Sequence, residues 1–232
     1  MPDIRINSLE GKSFDAYCAM PAGGCGPGLV VIQEIFGINA GMRQLCDHFA
    51  SKGYIAVCPD LFWRQQPGVQ LTDQTQAEWD KAFALFNGFD VEAGVRDLLS
   101  TLAHVRAIPG CAGKVGAVGY CLGGKMAFLM ASRSDVDATV GYYGVGLDGL
   151  LDEALDIRMP LMLHMAALDK FVPETARAKI MKSVNKNPVI TTHVYEGADH
   201  AFARPNGQTY NETAAQLAEQ RTLAFFEENL KV

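Results

Sequence analysis

Two kinds of hydrophobic patterning alternate along the chain. Apolar segments of strand length, most of them continuous runs, fall at 29–33, 54–58, 114–119, 138–143, 160–165 and 189–195. Unbroken runs suit strands covered on both faces. Between them, apolar residues recur at helical spacing over 42–52, 77–86, 91–106, 125–132, 174–184 and 214–229. This order predicts an α/β fold with a mostly parallel sheet, helices on both faces and right-handed crossovers. The glycine-rich stretch 23–28 reads as a turn between an N-terminal hairpin and the first buried strand. With no repeat or charged linker, the 232 residues predict a single domain, 1–232.

In such sheets, sites lie beyond the carboxyl ends of the strands. Glu34, Asp60, Cys121, Asp169 and His200 take those positions. The most specific segment is Gly119-Tyr120-Cys121-Leu122-Gly123, a buried strand running through a glycine-flanked cysteine into a helix. A nucleophile on a sharp strand-to-helix turn needs small flanking residues, because its backbone is strained and side chains there would clash. The motif alone leaves two readings open, a catalytic thiol and a core cysteine.

His200 and Asp169 narrow the choice. Of the five histidines, His164 lies inside a predicted strand and reads as a satisfied core residue. His48 and His104 fall in helical segments, and His193 alternates within a strand. Only His200 sits in a loop just past a strand. The order nucleophile, acid, histidine is the one used on α/β-hydrolase sheets. A thiol of ordinary pKa is mostly protonated at neutral pH and needs a base or a positive dipole. His200 can take its proton and later protonate a leaving oxygen. Asp169 can hold the imidazole's tautomer and stabilise its charged form. Singly, Asp169 also reads as a turn former or helix cap.

Net charge is −6 and no basic cluster is present, so nucleic acid and acidic membrane surfaces are not expected partners. The N-terminal residues lack a basic-then-apolar signal pattern, and no apolar run is long enough to span a bilayer. A cytoplasmic location is expected, with reduced thiols. The cysteines at 18, 25, 46, 58, 111 and 121 show no Cys-x-x-Cys or zinc spacing. Cys18, Cys46 and Cys58 read as core and Cys25 as a loop residue. No phosphate loop or dinucleotide fingerprint appears, so no metal or cofactor is expected.

The chain resembles the dienelactone hydrolase (carboxymethylenebutenolidase) family, cysteine members of the α/β-hydrolase fold. The resemblance is carried by Gln33-Glu34-Ile35-Phe36-Gly37, Cys58-Pro59-Asp60-Leu61, Phe89-Asp90-Val91-Glu92-Ala93-Gly94-Val95, Gly119-Tyr120-Cys121-Leu122-Gly123-Gly124, Gly141-Tyr142-Tyr143-Gly144-Val145-Gly146 and His200-Ala201-Phe202-Ala203-Arg204. It implies an eight-stranded sheet whose first strands come from residues 1–22. It implies a triad of Cys121, His200 and Asp169, and a role for Glu34 in taking the thiol's proton when substrate binds. Burial near Ile35 and Phe36 would favour that role by raising the carboxylate's pKa. Backbone N–H groups of Leu122 and Ile35 would form the oxyanion hole.

The resemblance further implies opening of an enol-lactone bearing an exocyclic carboxylate, giving maleylacetate through an acyl-thioester. Two arginines normally hold that carboxylate. Arg204 matches one; Trp79 stands at the position of the other, and Phe83 where a tyrosine is usual. Lys81 is a candidate substitute cation. Phe36, Tyr143 and Phe171 are implied pocket walls. The expected partner is a small lactone or ester, and the expected state a monomer. The rival readings are a broader carboxylesterase or thioesterase acting on neutral esters, a redox-sensing thiol protein and a hydrolase-like binding module.

Overall fold

The computed structural model describes residues 3–231. The chain packs as two compact units, one reaching to Gly116 and including Lys231, the other Ala117–Leu230. The first holds strands β1 Asp3–Asn7, β2 Ser13–Ala19, β3 Gly26–Ile32 and β4 Ile55–Pro59. It also holds helices α1 Ala40–Ser51, α2 Gln76–Asn87 and α3 Val91–Arg106. Strand β5, Cys111–Tyr120, crosses the boundary between the units. The second unit adds α4 Leu122–Arg133, β6 Ala138–Tyr142, β7 Leu161–Ala166, α5 Glu174–Val184, β8 Ile190–Tyr195 and α6 Glu212–Leu230. The eight strands form one sheet in the order β1-β2-β4-β3-β5-β6-β7-β8.

The N-terminal hairpin is present: β1 runs antiparallel to β2, which runs antiparallel to β4. The pairs β3–β4, β6–β7 and β7–β8 are parallel. Leu29, Val30, Val31 and Ile32 of β3 are wholly buried, as are Ile55, Ala56, Val57 and Cys58 of β4. This is why these strands read as unbroken apolar runs.

Helix starts are set by side chains that satisfy the first free N–H groups. Asn39 caps α1 through Met42 N, Thr75 caps α2 through Glu78 N, and Asp90 caps α3 through Ala93 N. Glu78 answers Thr75 with hydrogen bonds of its own, a capping box.

Several details differ from the sequence expectation: β3 begins at Gly26, inside the stretch 23–28 read as a turn, and β5 begins at Cys111 rather than 114. Helix α4 starts at Leu122 rather than 125, because the helical spacing becomes visible only after Gly123 and Gly124. Short 3-10 helices at Leu147–Gly149 and Leu151–Leu155 were not foreseen. They are too short to show a period. Their Leu147 and Ala154 join Leu161, Leu163, Val172, Ile180, Val184 and Ile190 in the core of the second unit. All six cysteines are free thiols, with Cys18, Cys46 and Cys58 buried and Cys25 exposed. Among the described residues no helix is long and apolar enough to cross a membrane.

Candidate active site

Strand β5 ends at Tyr120 and α4 begins at Leu122, so the whole turn is made at Cys121. That residue sits at φ 56° and ψ −113°. Such a positive φ costs energy for a residue with a β-carbon, and strain of this kind concentrates at functional turns. The bend is held from outside by Cys121 N donating to Tyr142 O at 3.0 Å. The flanking glycines are required by space. A β-carbon on Gly119 would lie 1.9 Å from Gly123 O, and one on Gly124 would lie 2.5 Å from Tyr142 O. Leu122 N–H is the first donor of α4, where a helix has no acceptor of its own and carries partial positive charge.

Asp169 lies in the loop after β7 and is 3% exposed. Its Oδ1 accepts from Phe171 N at 2.8 Å and Val172 N at 3.2 Å. Both bonds curl the loop around the carboxylate and leave Oδ2 aimed elsewhere. Arg177 of α5 ties the loop's start by donating to the carbonyls of Ala166 and Ala167. His200 lies in the loop after β8 and is 7% exposed. Leu168 N donates to Ala198 O at 2.9 Å, which joins the two loops. Positive φ at Gly197 (71°) and Ala201 (62°) turns the chain on either side of His200.

These elements bring three of the predicted side chains together. His200 Nδ1 meets Asp169 Oδ2 at 2.8 Å, and the same ring is hydrogen-bonded to the Cys121 side chain. Burial works against a charge on the imidazole. The ring's interactions with Cys121 and with the Asp169 carboxylate outweigh it and lift the His200 pKa from 6.5 to about 10. The arrangement therefore favours a protonated imidazole beside the Asp169 carboxylate. It can hand a proton to a leaving oxygen and orient the ring while doing so. Tyr143 and Phe171 pack edge-on against His200, at 5.1 Å and 4.8 Å between ring centres. Tyr143 is buried, whereas Phe171 is 52% exposed.

The remaining predicted residues belong to the first unit, apart from Arg204. Glu34, Ile35 and Phe36 follow β3 directly, and all three are buried. Gln33 braces this segment: its Nε2 donates to Glu34 O, and its Oε1 accepts from Leu61 N after β4. Trp79 on α2 meets Phe36 edge-on at 5.0 Å and stacks on Phe83 at 5.5 Å. Its indole N–H is used by Asp73 O at 3.0 Å. Lys81 is exposed, and two residues along a helix turn it about 200° away from Trp79. Arg204 is half-buried in the turn that follows His200.

A family model describing the dienelactone hydrolase family matches residues 14–230. The chain belongs to the dienelactone hydrolase family. Curated relatives agree. The carboxymethylenebutenolidase of Pseudomonas putida is 44% identical over 96% of this chain and 94% of its own. A relative from Azospirillum brasilense, provisionally given the same name, is 54% identical over 99% of this chain and all of its own. Among solved structures, a provisionally assigned dienelactone hydrolase from Klebsiella pneumoniae superposes with a TM-score of 0.86 at 28% identity, covering 98% of each chain. As a member of this family the protein is an enzyme that hydrolyses esters or lactones. Around this site the sequence reading assigned no role to Arg177, Tyr195, Thr222 or Arg221. Their partners lie far away in the chain, so no local motif marks them.

Proposed function

We propose that this chain opens a carboxylate-bearing enol-lactone, dienelactone to maleylacetate, by thiol attack. The reading rests on one observation: a single buried imidazole bonded to both the Cys121 sulfur and the Asp169 carboxylate. The family and the names of the P. putida and A. brasilense relatives supply the substrate class.

In this mechanism Glu34 takes the Cys121 proton as substrate binds. The thiolate forms a C–S bond to the lactone carbonyl carbon. The resulting oxyanion is held by the Leu122 and Ile35 N–H groups, donors of a kind worth about 3 kcal/mol each. As the tetrahedral adduct collapses, the ring C–O bond breaks and His200 protonates the leaving enolate oxygen. Water then attacks the thioester while His200 takes its proton. The C–S bond breaks, Glu34 returns its proton to the sulfur to restore the thiol, and the product leaves as a carboxylate with its acid proton lost to solvent. Asp169 holds the imidazole throughout. Arg204 pairs with the exocyclic carboxylate, Phe36, Tyr143 and Phe171 wall the substrate, and the enzyme acts as a cytoplasmic monomer.

A second reading, a carboxylesterase for neutral esters, is favoured by Trp79. Its stacked, hydrogen-bonded indole brings an apolar surface and no cation. Lys81 is turned off that face and is the weaker candidate for a substitute charge.

Parallel kinetics on dienelactone and on neutral aryl esters test both readings, with the native chain and Cys121→Ala. The first predicts lactone turnover that drops on the order of 10³-fold or more in the variant. Equal rates in the two proteins would refute the nucleophile. A strong preference for neutral esters would replace the first reading with the second.

A further inference from the structure

Behind the candidate site lies a second, wholly buried histidine that the mechanism leaves unused. His164, in β7, is 0% exposed. It is paired across the sheet with Tyr142 of β6 and His193 of β8. Its ring packs against both, at 4.4 Å and 5.8 Å between centres. Tyr142 stacks in turn on Tyr120 of β5 at 4.7 Å. One row of rings thus crosses the sheet just before its strands end.

Both nitrogens of His164 are engaged. Nδ1 lies 2.8 Å from Tyr195 Oη and Nε2 lies 3.0 Å from Thr222 Oγ1 of α6. Thr222 Oγ1 also meets Tyr142 Oη at 2.6 Å. Arg221 donates to Tyr195 Oη at 3.1 Å, with its guanidinium over that ring. An arginine can only donate, so Tyr195 Oη accepts from Arg221, and its own proton is free to go to His164 Nδ1. That leaves Nε2–H to serve Thr222. Both ring nitrogens are then satisfied with the ring neutral. Burial, the neighbouring His193 and the Arg221 charge all hold its pKa well below the ordinary value.

This network touches the elements that deliver Cys121, Asp169 and His200. Tyr142 O holds the Cys121 turn, and Tyr120 immediately precedes it. His164 O accepts from Tyr143 N, and Tyr143 packs on His200. The strand of His164 runs on into the Asp169 loop. The strand of Tyr195 runs on into the His200 loop, and the Tyr195 ring lies 4.9 Å from Phe202. Ala167 N donates to Tyr195 O, so the two strand ends are also joined by backbone.

We propose that His164, clamped between Tyr195 and Thr222, is a positioning residue that sets the spacing of Cys121, Asp169 and His200 by bolting the ends of β6, β7 and β8 to α6. It touches no substrate and acts only through the strands it joins. The inference rests on the mechanism proposed above for its effect on rate. Its effect on the geometry of His200 does not depend on that mechanism.

The experiment compares the native chain with Thr222→Val, Tyr195→Phe and Thr222→Ser, reading ester or lactone kinetics, thermal midpoint and the NMR titration of His200. Val keeps the shape of Thr while removing its hydroxyl, so folding is retained and the clamp is opened. Thr222→Val and Tyr195→Phe are expected to lower kcat roughly ten- to a hundredfold with KM nearly unchanged. The His200 pKa should fall below its native value as its partners move away. Thr222→Ser should restore both. A lower thermal midpoint with native kcat and a native His200 titration would mean plain structural support, and would overturn the proposal. If the native chain turns over no ester or lactone, the proposed function fails. The His200 titration still decides the positioning role.

Discussion

At the scale of single residues, the chemistry converges on His200. Its charge is disfavoured by burial and restored by two neighbours, Cys121 and Asp169, of which Cys121 contributes more. Removing the sulfur should therefore show in the imidazole. In Cys121→Ala, NMR titration should find the His200 pKa lower than the native value of about 10. An unchanged value would show that the thiol does not set it. Asp169→Asn keeps the side chain's shape but offers His200 Nδ1 the wrong partner and stabilises no charge. It should lower kcat on the order of 10³- to 10⁴-fold with a small change in KM. These two side chains were legible in the sequence because each closes a strand and their order along the chain is restrictive. The clamp around His164 was legible only as a core histidine. Its partners Tyr195 and Thr222 are 31 and 58 positions away, and separations of that size carry no local signal.

At the scale of elements, the turn from β5 into α4 is tightly constrained. The strain at Cys121 is tolerated because Tyr142 O fixes its backbone and the flanking glycines leave room. Gly119→Ala would push a methyl group into Gly123 O, a backbone atom that cannot rotate away. It should cost about 2 kcal/mol or more, by the usual penalty for overpacking, and a denaturant titration would measure it. The caps are worth less. Asp90→Ala should destabilise by about 1 kcal/mol through loss of the bond to Ala93 N. The periods that reveal strands and helices made most of these elements readable in advance. The boundaries at α4 and the 3-10 turns escaped because glycines and short segments mask the period.

At the scale of the whole chain, stability should depend on pH through His200. Its pKa is raised on folding, so its contribution is fully present below about pH 6.5 and is lost as the pH rises through about 10. Thermal midpoints of the native chain and His200→Gln should therefore converge as the pH is raised across that window. A gap that widened instead would show the sign to be wrong. The same region shows how architecture serves chemistry. Asp169 and His200 stand on neighbouring parallel strands, β7 and β8, and Cys121 turns against the end of β6. Parallel pairing sends their loops to the same end of the sheet.

Much was determined by the amino-acid sequence alone: the alternation of strand and helix, the strained cysteine turn, the order of cysteine, aspartate and histidine, and the family. All are local patterns, or patterns of order, and survive without coordinates. Tertiary structure decided the rest. It brought one imidazole between a sulfur and a carboxylate, spent the Trp79 N–H on a nearby carbonyl, turned Lys81 off that face and closed both nitrogens of His164. Such facts depend on which groups meet after distant segments pack, and on how burial then weighs charge against hydrogen bonding.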